Sequence, residues 1–354
     1  MTAKKKTPGK KSFLKKIIIA TAVLLLAAGI AAGMFYYYVF GPNTRLDADN
    51  FYLYIPTGAS FTQVVDSLEK NKVLRNPNSF VKLAIQKGYS KKVKPGRYLI
   101  TNNMSNNALV NLLRSGHQSP VNLTFNSVRT TPQLAGRLAA ALETDSISLL
   151  RMLRDKSITR SYGFSPDNIL LMFIPNTYEV YWNTPAEKLL ERMHQEYKHF
   201  WTNEKKALAD KAGLSPLETG ILASIVEMET IKNDEKPVVA GVYINRLQRG
   251  IHLEADPTVI FALNDFTIKR VLKKHLAFPS AYNTYLNAGL PPGPIAMPSV
   301  SSLDAVLHYR HHDYLFFCAK PDLSGYHSFA RNLPEHMNNA RAYQKALDNM
   351  NIKR

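Results

Sequence analysis

Glu227 and Glu229 stand two residues apart at the end of the run Leu214-Ser215-Pro216-Leu217-Glu218 through Ile221-Leu222-Ala223-Ser224-Ile225-Val226-Glu227-Met228-Glu229-Thr230. A carboxyl group held among apolar neighbours can keep its proton near neutral pH and give it up to a leaving group, which is general-acid chemistry. Which of the two could do so depends on the element that carries them. Ser215 is a good N-cap, Pro216 suits the first helical position and Glu218 completes a capping box, so a helix is predicted from Pro216 onward. At about 100° per residue, Glu229 falls in line with Leu222, Ile225 and Val226, whereas Glu227 falls in line with Gly220, Ala223 and Ser224. The two acids are roughly 200° apart and do not easily serve one site. Glu229, on the apolar side, is the one that desolvation would push toward the protonated form. The helix alone leaves a second reading open, in which Glu229 pairs with a basic residue at the edge of a core.

Other chemistries fit the residues poorly. His-Glu-x-x-His is missing, and His308 and His312, four apart as on a helix, lie in the polar run His308-Tyr309-Arg310-His311-His312. Cys318 is the single cysteine, which excludes an intramolecular disulfide and a cysteine metal site; its run Tyr314-Leu315-Phe316-Phe317-Cys318-Ala319 reads as a buried strand. Ser79-Phe80-Val81-Lys82, Ser105-Asn106-Asn107 and Lys94-Pro95-Gly96 only loosely echo a penicillin-binding acyl-enzyme, in the wrong order. No nucleotide-binding loop is present. No cofactor and no metal is therefore expected. A two-carboxylate glycosidase needs a second acid, for which Asp256 is the best placed. Followed by Pro257, Asp256 also reads as the N-cap of the next helix, a structural role. One acid without an obvious partner suits a reaction in which the substrate supplies its own nucleophile.

The chain has 354 residues, 45% hydrophobic and 20% charged, as expected of a folding chain of about two or three domains. Its formal net charge of +18 would suit a nucleic-acid binder. Seven lysines, however, fall within the first sixteen residues and abut the uncharged stretch Ile17–Phe40, which ends in Phe35-Tyr36-Tyr37-Tyr38. Twenty-four such residues span about 36 Å as a helix, enough for a tilted crossing and longer than a cleaved signal core. The lysine-rich flank should stay in the cytoplasm, with the chain from Gly41 outside. That placement argues against nucleic acid as partner. The residual basic charge then points to an anionic wall polymer or lipid.

Past the anchor, a strand at Phe51–Ile55, a helix capped by Ser60, a helix begun by Pro77 and a strand at Arg97–Ile100 form a β-α-α-β order resembling a LysM domain, a small glycan-binding module. A helix from Asn106 to Arg114, closed by Gly116, follows. A strand is predicted at Val121–Phe125, helices at Pro132–Leu142 and Ser146–Arg154, a strand after Ile174-Pro175-Asn176-Thr177, and one long helix from Pro185 to Leu208. Val238–Leu247 reads as a helix. The stretch from Tyr282-Asn283-Thr284-Tyr285 to Gly289-Leu290-Pro291-Pro292-Gly293-Pro294-Ile295 is dense in residues that fix backbone amides, as a sugar groove requires, or as an elaborate structural loop does.

Taken in order, Ala223-Ser224-Ile225-Val226-Glu227-Met228-Glu229-Thr230, Ile244-Asn245-Arg246-Leu247, Asp256-Pro257-Thr258-Val259, Tyr282-Asn283-Thr284-Tyr285, Gly289–Ile295 and His327-Ser328-Phe329 resemble the YceG-like family, the membrane-anchored endolytic murein transglycosylases (MltG type). The resemblance implies cleavage of the β-1,4 bond between N-acetylmuramic acid and N-acetylglucosamine in nascent glycan strands. It implies a 1,6-anhydromuramyl end and no consumption of water. It puts the catalytic glutamate at Glu229, acting first as acid and then as base on the muramyl C6 hydroxyl. Glu227 would be supporting, and Asn245, Asp256, Tyr282, Asn283, Thr284 and Tyr285 would belong to the substrate groove. The chain departs from the family at Pro175-Asn176-Thr177-Tyr178, often Pro-Asp-Thr-Tyr, and at Asn126-Ser127, often Glu-Gly.

The combined expectation is an α+β fold. A cytoplasmic tail (1–16) precedes a transmembrane anchor (17–40) and a LysM-like glycan-binding subdomain (41–120). A linking subdomain (121–200) then leads to an α+β catalytic domain (201–354) in the periplasm of a bacterial inner-membrane protein. The expected partners are peptidoglycan glycan strands and the inner membrane; a penicillin-binding peptidoglycan synthase is a family-level expectation that no motif here carries. The rival reading is a non-catalytic peptidoglycan-binding scaffold.

Overall fold

The structure, a computed structural model, describes residues 10–124 and 128–349. The fold is mixed α and β, in two compact units. The first runs to Pro120 and includes Tyr181–Asn183; the second holds Val121–Val180 and the chain from Thr184 onward.

The first unit begins with α1 (Lys10–Phe40). Its segment Phe13–Phe40 has a mean hydropathy of 2.5 and is long and apolar enough to cross a membrane. Then come β1 (Asn50–Ile55), α2 (Phe61–Lys70), α3 (Pro77–Gln86), β2 (Gly96–Thr101) and α4 (Asn106–Ser115). β1 and β2 pair antiparallel, with Asn50 opposite Thr101 and Ile55 opposite Gly96. The helix ends follow local rules: Ser60 and Gln63 form a capping box, Asn76 caps α3 ahead of Pro77, and Gly116 ends α4 in the left-handed region. Leu53, Ile55, Tyr98 and Ile100 of the sheet bury against Leu68, Phe80, Leu109 and Leu113 of the helices. One buried polar knot joins the end of α1 to this core. Asn43 Nδ2 donates to Asn106 Oδ1 (2.6 Å), and Asn106 Nδ2 donates to the Tyr38 carbonyl (3.0 Å) and Ser79 Oγ (2.9 Å).

The second unit contains β3 (Val121–Thr124), α5 (Thr131–Ala141), α6 (Ser146–Arg154), α7 (Lys156–Ser161), β4 (Thr177–Val180), α8 (Ala186–Phe200), α9 (Asn203–Lys211) and α10 (Pro216–Glu229). These are followed by α11 (Lys236–Gln248), α12 (Asp256–Leu263), α13 (Lys273–Leu276), α14 (Val300–Leu307), β5 (Phe316–Ala319), β6 (His327–Ala330) and α15 (Leu333–Asn349). β3 pairs with β4 and β5 with β6, both antiparallel. The core is centred on α10, whose Leu222, Ile225 and Val226 pack with Val239, Ala240 and Ile244 of α11 and Leu303 and Val306 of α14.

Several local expectations change. The predicted Pro185–Leu208 helix is two helices, because Trp201 leaves helical geometry to bury its ring and Thr202 caps a new start by accepting from the Lys205 amide. Asp256 is not an N-cap: Ala255 holds that position and Asp256 is the first helical residue, its carboxylate turned to a side-chain partner. His308 and His312 do not share a helix, since α14 ends at Leu307. Cys318 lies in a strand as expected but is half-buried. Phe125, Asn126 and Ser127 lie outside the described residues.

Asn106→Ala should leave the Asn43 amide and the Tyr38 carbonyl without their buried partner and cost about 1–3 kcal/mol. Urea denaturation of wild type and variant would reveal it as a lower midpoint with an unchanged slope.

Candidate active site

Glu229 is the last residue of α10, and its apolar-side position brings its carboxyl to the wall of a cavity of about 260 Å³. Tyr243, buried in α11, donates its hydroxyl to Glu229 Oε1 at 2.6 Å. Arg246, Glu254, Asp256, Tyr285 and His336 also line the cavity, with Phe316 and Phe317 of β5. Burial pushes the Glu229 carboxyl up to about 7; the Tyr243 hydrogen bond opposes this, and the negative charge of Asp256 adds to it. A carboxylate in the last turn of a helix also faces the negative end of the macrodipole. Burial, with Glu229 next, holds the Tyr243 phenol well above its ordinary value, so it remains a donor.

Glu227 lies on the other side of α10 and has the opposite surroundings. Ser299 and Ser302, at the start of α14, both donate to its Oε2, and the buried Lys236 ammonium sits 3.1 Å away. Burial disfavours its charge, but the two hydroxyls and the lysine together outweigh burial and hold its carboxyl below the usual range. A separate buried carboxylate, Glu235, accepts from Thr230 Oγ1 (3.2 Å) and the His327 amide (2.8 Å), fixing the chain just beyond Glu229.

The far wall is set by the 252–256 and 282–285 segments. Tyr285 donates its hydroxyl to Asp256 Oδ1 at 2.6 Å. Thr284 Oγ1 accepts from the Ala255 amide (3.0 Å) and lies 2.9 Å from Thr258 Oγ1. Glu254 takes a left-handed backbone (φ 53°), a costly conformation for a residue with a Cβ. Its amide donates to the Thr284 carbonyl (3.2 Å), and the Arg246 guanidinium binds its carboxylate. Arg246 also donates to the carbonyls of His252 (2.7 Å) and Leu315 (2.9 Å), joining both walls.

Of the residues expected from sequence, Glu229, Asp256 and Tyr285 meet at the cavity. Asn283 is buried as a brace: its Nδ2 donates to the carbonyls of Leu276 and Phe278, each at 2.8 Å, and its Oδ1 accepts from the Tyr285 amide. Asn245 Nδ2 donates to the carbonyls of His312 (2.7 Å) and Tyr314 (3.0 Å), drawing the segment before β5 onto α11. Tyr282 faces a second cavity beside Phe261. Sequence reasoning missed Tyr243, Arg246, Glu254 and His336. Tyr243 was the most detectable, a hydroxyl within the apolar run Val238–Ile244. His336 had no local signal; its Nδ1 is buried without a hydrogen-bond partner among the described residues. No group of three or more His, Cys, Asp or Glu is placed to hold a metal among the described residues. His312 is engaged with backbone, Nε2 lying 3.0 Å from the Val238 carbonyl and Nδ1 accepting from the Tyr314 amide at 3.1 Å.

Residues 53–342 match the model of the YceG-like family. The chain belongs to the YceG-like family. It is 29% identical over 318 residues to an endolytic murein transglycosylase of Bacillus subtilis, covering 84% of this chain and 85% of that one. It is 24% identical over 321 residues to an endolytic murein transglycosylase of Streptococcus pneumoniae, covering 80% of this chain but 58% of the longer relative. The crystal structure of a YceG-like protein of Listeria monocytogenes matches with a TM-score of 0.54 and 26% identity, over 82% of this chain and 99% of that one.

Glu229 predicts a signature in stability. Its native pKa is about 7 against an ordinary 4.5, so the native state holds a proton that the unfolded chain has lost between those values. Stability from this group is full below about 4.5, falls as pH rises to about 7, and stays reduced above it. Glu229→Gln removes the titration. The difference in melting temperature, variant minus wild type, should grow from pH 4.5 to 7 and then level off; a constant difference across that range would contradict a raised pKa.

Proposed function

We propose that this chain is an endolytic murein transglycosylase that cuts the β-1,4 bond after N-acetylmuramic acid in nascent glycan strands. The observation that carries the proposal is the Glu229 carboxyl, half-buried at a cavity wall with Tyr243 as its hydrogen-bond donor and its pKa pushed up to about 7. The printed names of the Bacillus and Streptococcus relatives support the same reading.

The residues suggest a cycle in which one acid works twice. Protonated Glu229 gives its proton to the glycosidic oxygen as the bond to muramyl C1 breaks. The muramyl C6 hydroxyl attacks C1, and its proton passes to the Glu229 carboxylate. One C–O bond breaks, one forms, the acid is restored and no water enters. Tyr243 orients the carboxyl and steadies the brief anion. The Asp256 carboxylate, fixed by Tyr285, faces the same cavity and would favour the positive charge that develops at C1. Asn245, Asn283 and Thr284 would shape the groove by holding its walls, and Glu227, tied to α14, would hold the end of α10. α1 would anchor the chain in the inner membrane with its lysine-rich end in the cytoplasm and the rest in the periplasm. The β-α-α-β unit would hold glycan in the manner of a LysM domain. A nascent strand as substrate would place a penicillin-binding synthase nearby.

Asp256 also favours a second reading, because two carboxyls at one cavity suit a hydrolase that activates water. Product mass separates the two: an anhydromuramyl end is lighter by one water than a hydrolysed end. The full chain in detergent, given murein glycan strands, should yield anhydro ends, and Glu229→Gln should lower that rate by at least about 10²-fold. Binding without any product from the wild type would favour a scaffold instead.

Because the reaction begins with Glu229 protonated, kcat/KM should fall as pH rises through about 7. The Tyr243 hydrogen bond lowers the Glu229 pKa, so Tyr243→Phe should move the alkaline limb to higher pH; an unmoved limb would assign that titration to another group.

A further inference from the structure

The second cavity, about 650 Å³, holds two arginines that the proposed chemistry does not use. Arg129 precedes α5, and its guanidinium lies 4.8 Å from the centre of the Phe266 ring. Arg154 ends α6 and has no ion pair and no side-chain hydrogen bond among the described residues. Below them Phe261 and Tyr282 pack with ring centres 4.8 Å apart, and Asp167 supplies one carboxylate on the rim. The Pro291-Pro292-Gly293-Pro294 segment is pressed against this wall. A Cβ on Gly293 would strike the Asp167 carbonyl and come within 2.9 Å of the Tyr282 hydroxyl.

This cavity and the Glu229 cavity share their supporting segments. Asp256 and Phe261 lie on α12, five positions or about 7.5 Å apart along its axis, the first at one cavity and the second at the other. Tyr285 and Tyr282 divide between the cavities in the same way. A polymer threaded past Glu229 would present to this second cavity whatever branches from its neighbouring sugar. Two guanidiniums, one resting on an aromatic ring and neither paired with a carboxylate among the described residues, suit anionic groups, a single carboxylate suits an amine, and an aromatic floor suits short aliphatic side chains. A bare glycan offers only the muramyl lactate carboxylate, with no amine and no aliphatic side chain. A stem peptide on muramic acid, with its carboxylates and free amine, offers all of it.

We propose that the Arg129–Arg154 cavity is a subsite for the anionic stem peptide, making the protein selective for peptide-bearing strands. The substrate class rests on the murein reading above, and the test is equilibrium binding, so that it stands apart from turnover. Full-length Glu229→Gln protein in detergent would be titrated with murein glycan strands carrying their peptides and with the same strands stripped of them. Peptide-bearing strands should bind about tenfold tighter or better, and Arg129→Ala with Arg154→Ala added should erase that preference while leaving stripped-strand affinity unchanged. Arg→Lys at both positions should restore part of it, which a misfolded variant would not show. Equal affinity for the two strands, or a loss on both alike, would overturn the subsite. Preserved preference, with no anhydro ends from the wild-type protein, would leave the subsite standing and defeat the proposed reaction instead.

Discussion

The site depends on one half-buried carboxyl held by a single neutral donor. Had Glu229 a cation beside it, it would be an ordinary carboxylate at neutral pH; had it no donor, burial would carry it further from the working range. Tyr243 is the compromise, a hydroxyl that orients the group without fixing its charge. Holding that pair demands close contact between α10, α11 and the segment before β5. Gly241 permits it: a Cβ there would come 2.5 Å from the Arg310 carbonyl and 2.7 Å from His312 Nε2. Asn245 and His312 then tie that segment to α11, and β5 brings Phe316 and Phe317 to the cavity.

Glu227 is the contrast on the same helix. Two residues away, it receives two hydroxyls and a buried lysine, and its pKa moves down instead of up. Environment alone moves two chemically identical side chains in opposite directions, one toward the ion-paired anion and one toward the protonated acid. Replacing Lys236 would strand that anion beside the α10–α14 packing, where breaking a buried pair is costly. The strained backbone of Glu254 belongs to the same economy of position. It is held by Thr284 and Arg246 and sets the turn that aims Asp256 at the cavity.

Local rules made much of this legible in the sequence. The Ser215 capping box, Pro216 and the spacing of Leu222, Ile225 and Val226 established α10 and the face of Glu229 before any tertiary contact was known. The β-α-α-β order of the first unit was likewise readable from Ser60, Pro77 and two short alternating strands. What escaped was set by long-range pairing. Tyr243 and His336 reach the cavity from α11 and α15, and no periodicity in either helix reports which side chain will meet Glu229. Asp256 looked like a cap because Asp-Pro usually is one; Ala255, tied to Thr284 nearly thirty residues away, took that position. The apparent continuity of Pro185–Leu208 hid a break that only the burial of Trp201 explains.

Asp256 at the same cavity as Glu229 makes the fate of water the sharpest question about the proposed reaction. The direct measurement is to digest murein glycan strands with the full chain in heavy-oxygen water and examine the muramyl ends by mass spectrometry. An intramolecular attack by the C6 hydroxyl predicts anhydro ends that carry no heavy oxygen. Heavy oxygen at muramyl C1 in the primary product would mean that water is the nucleophile and would contradict the single-acid account.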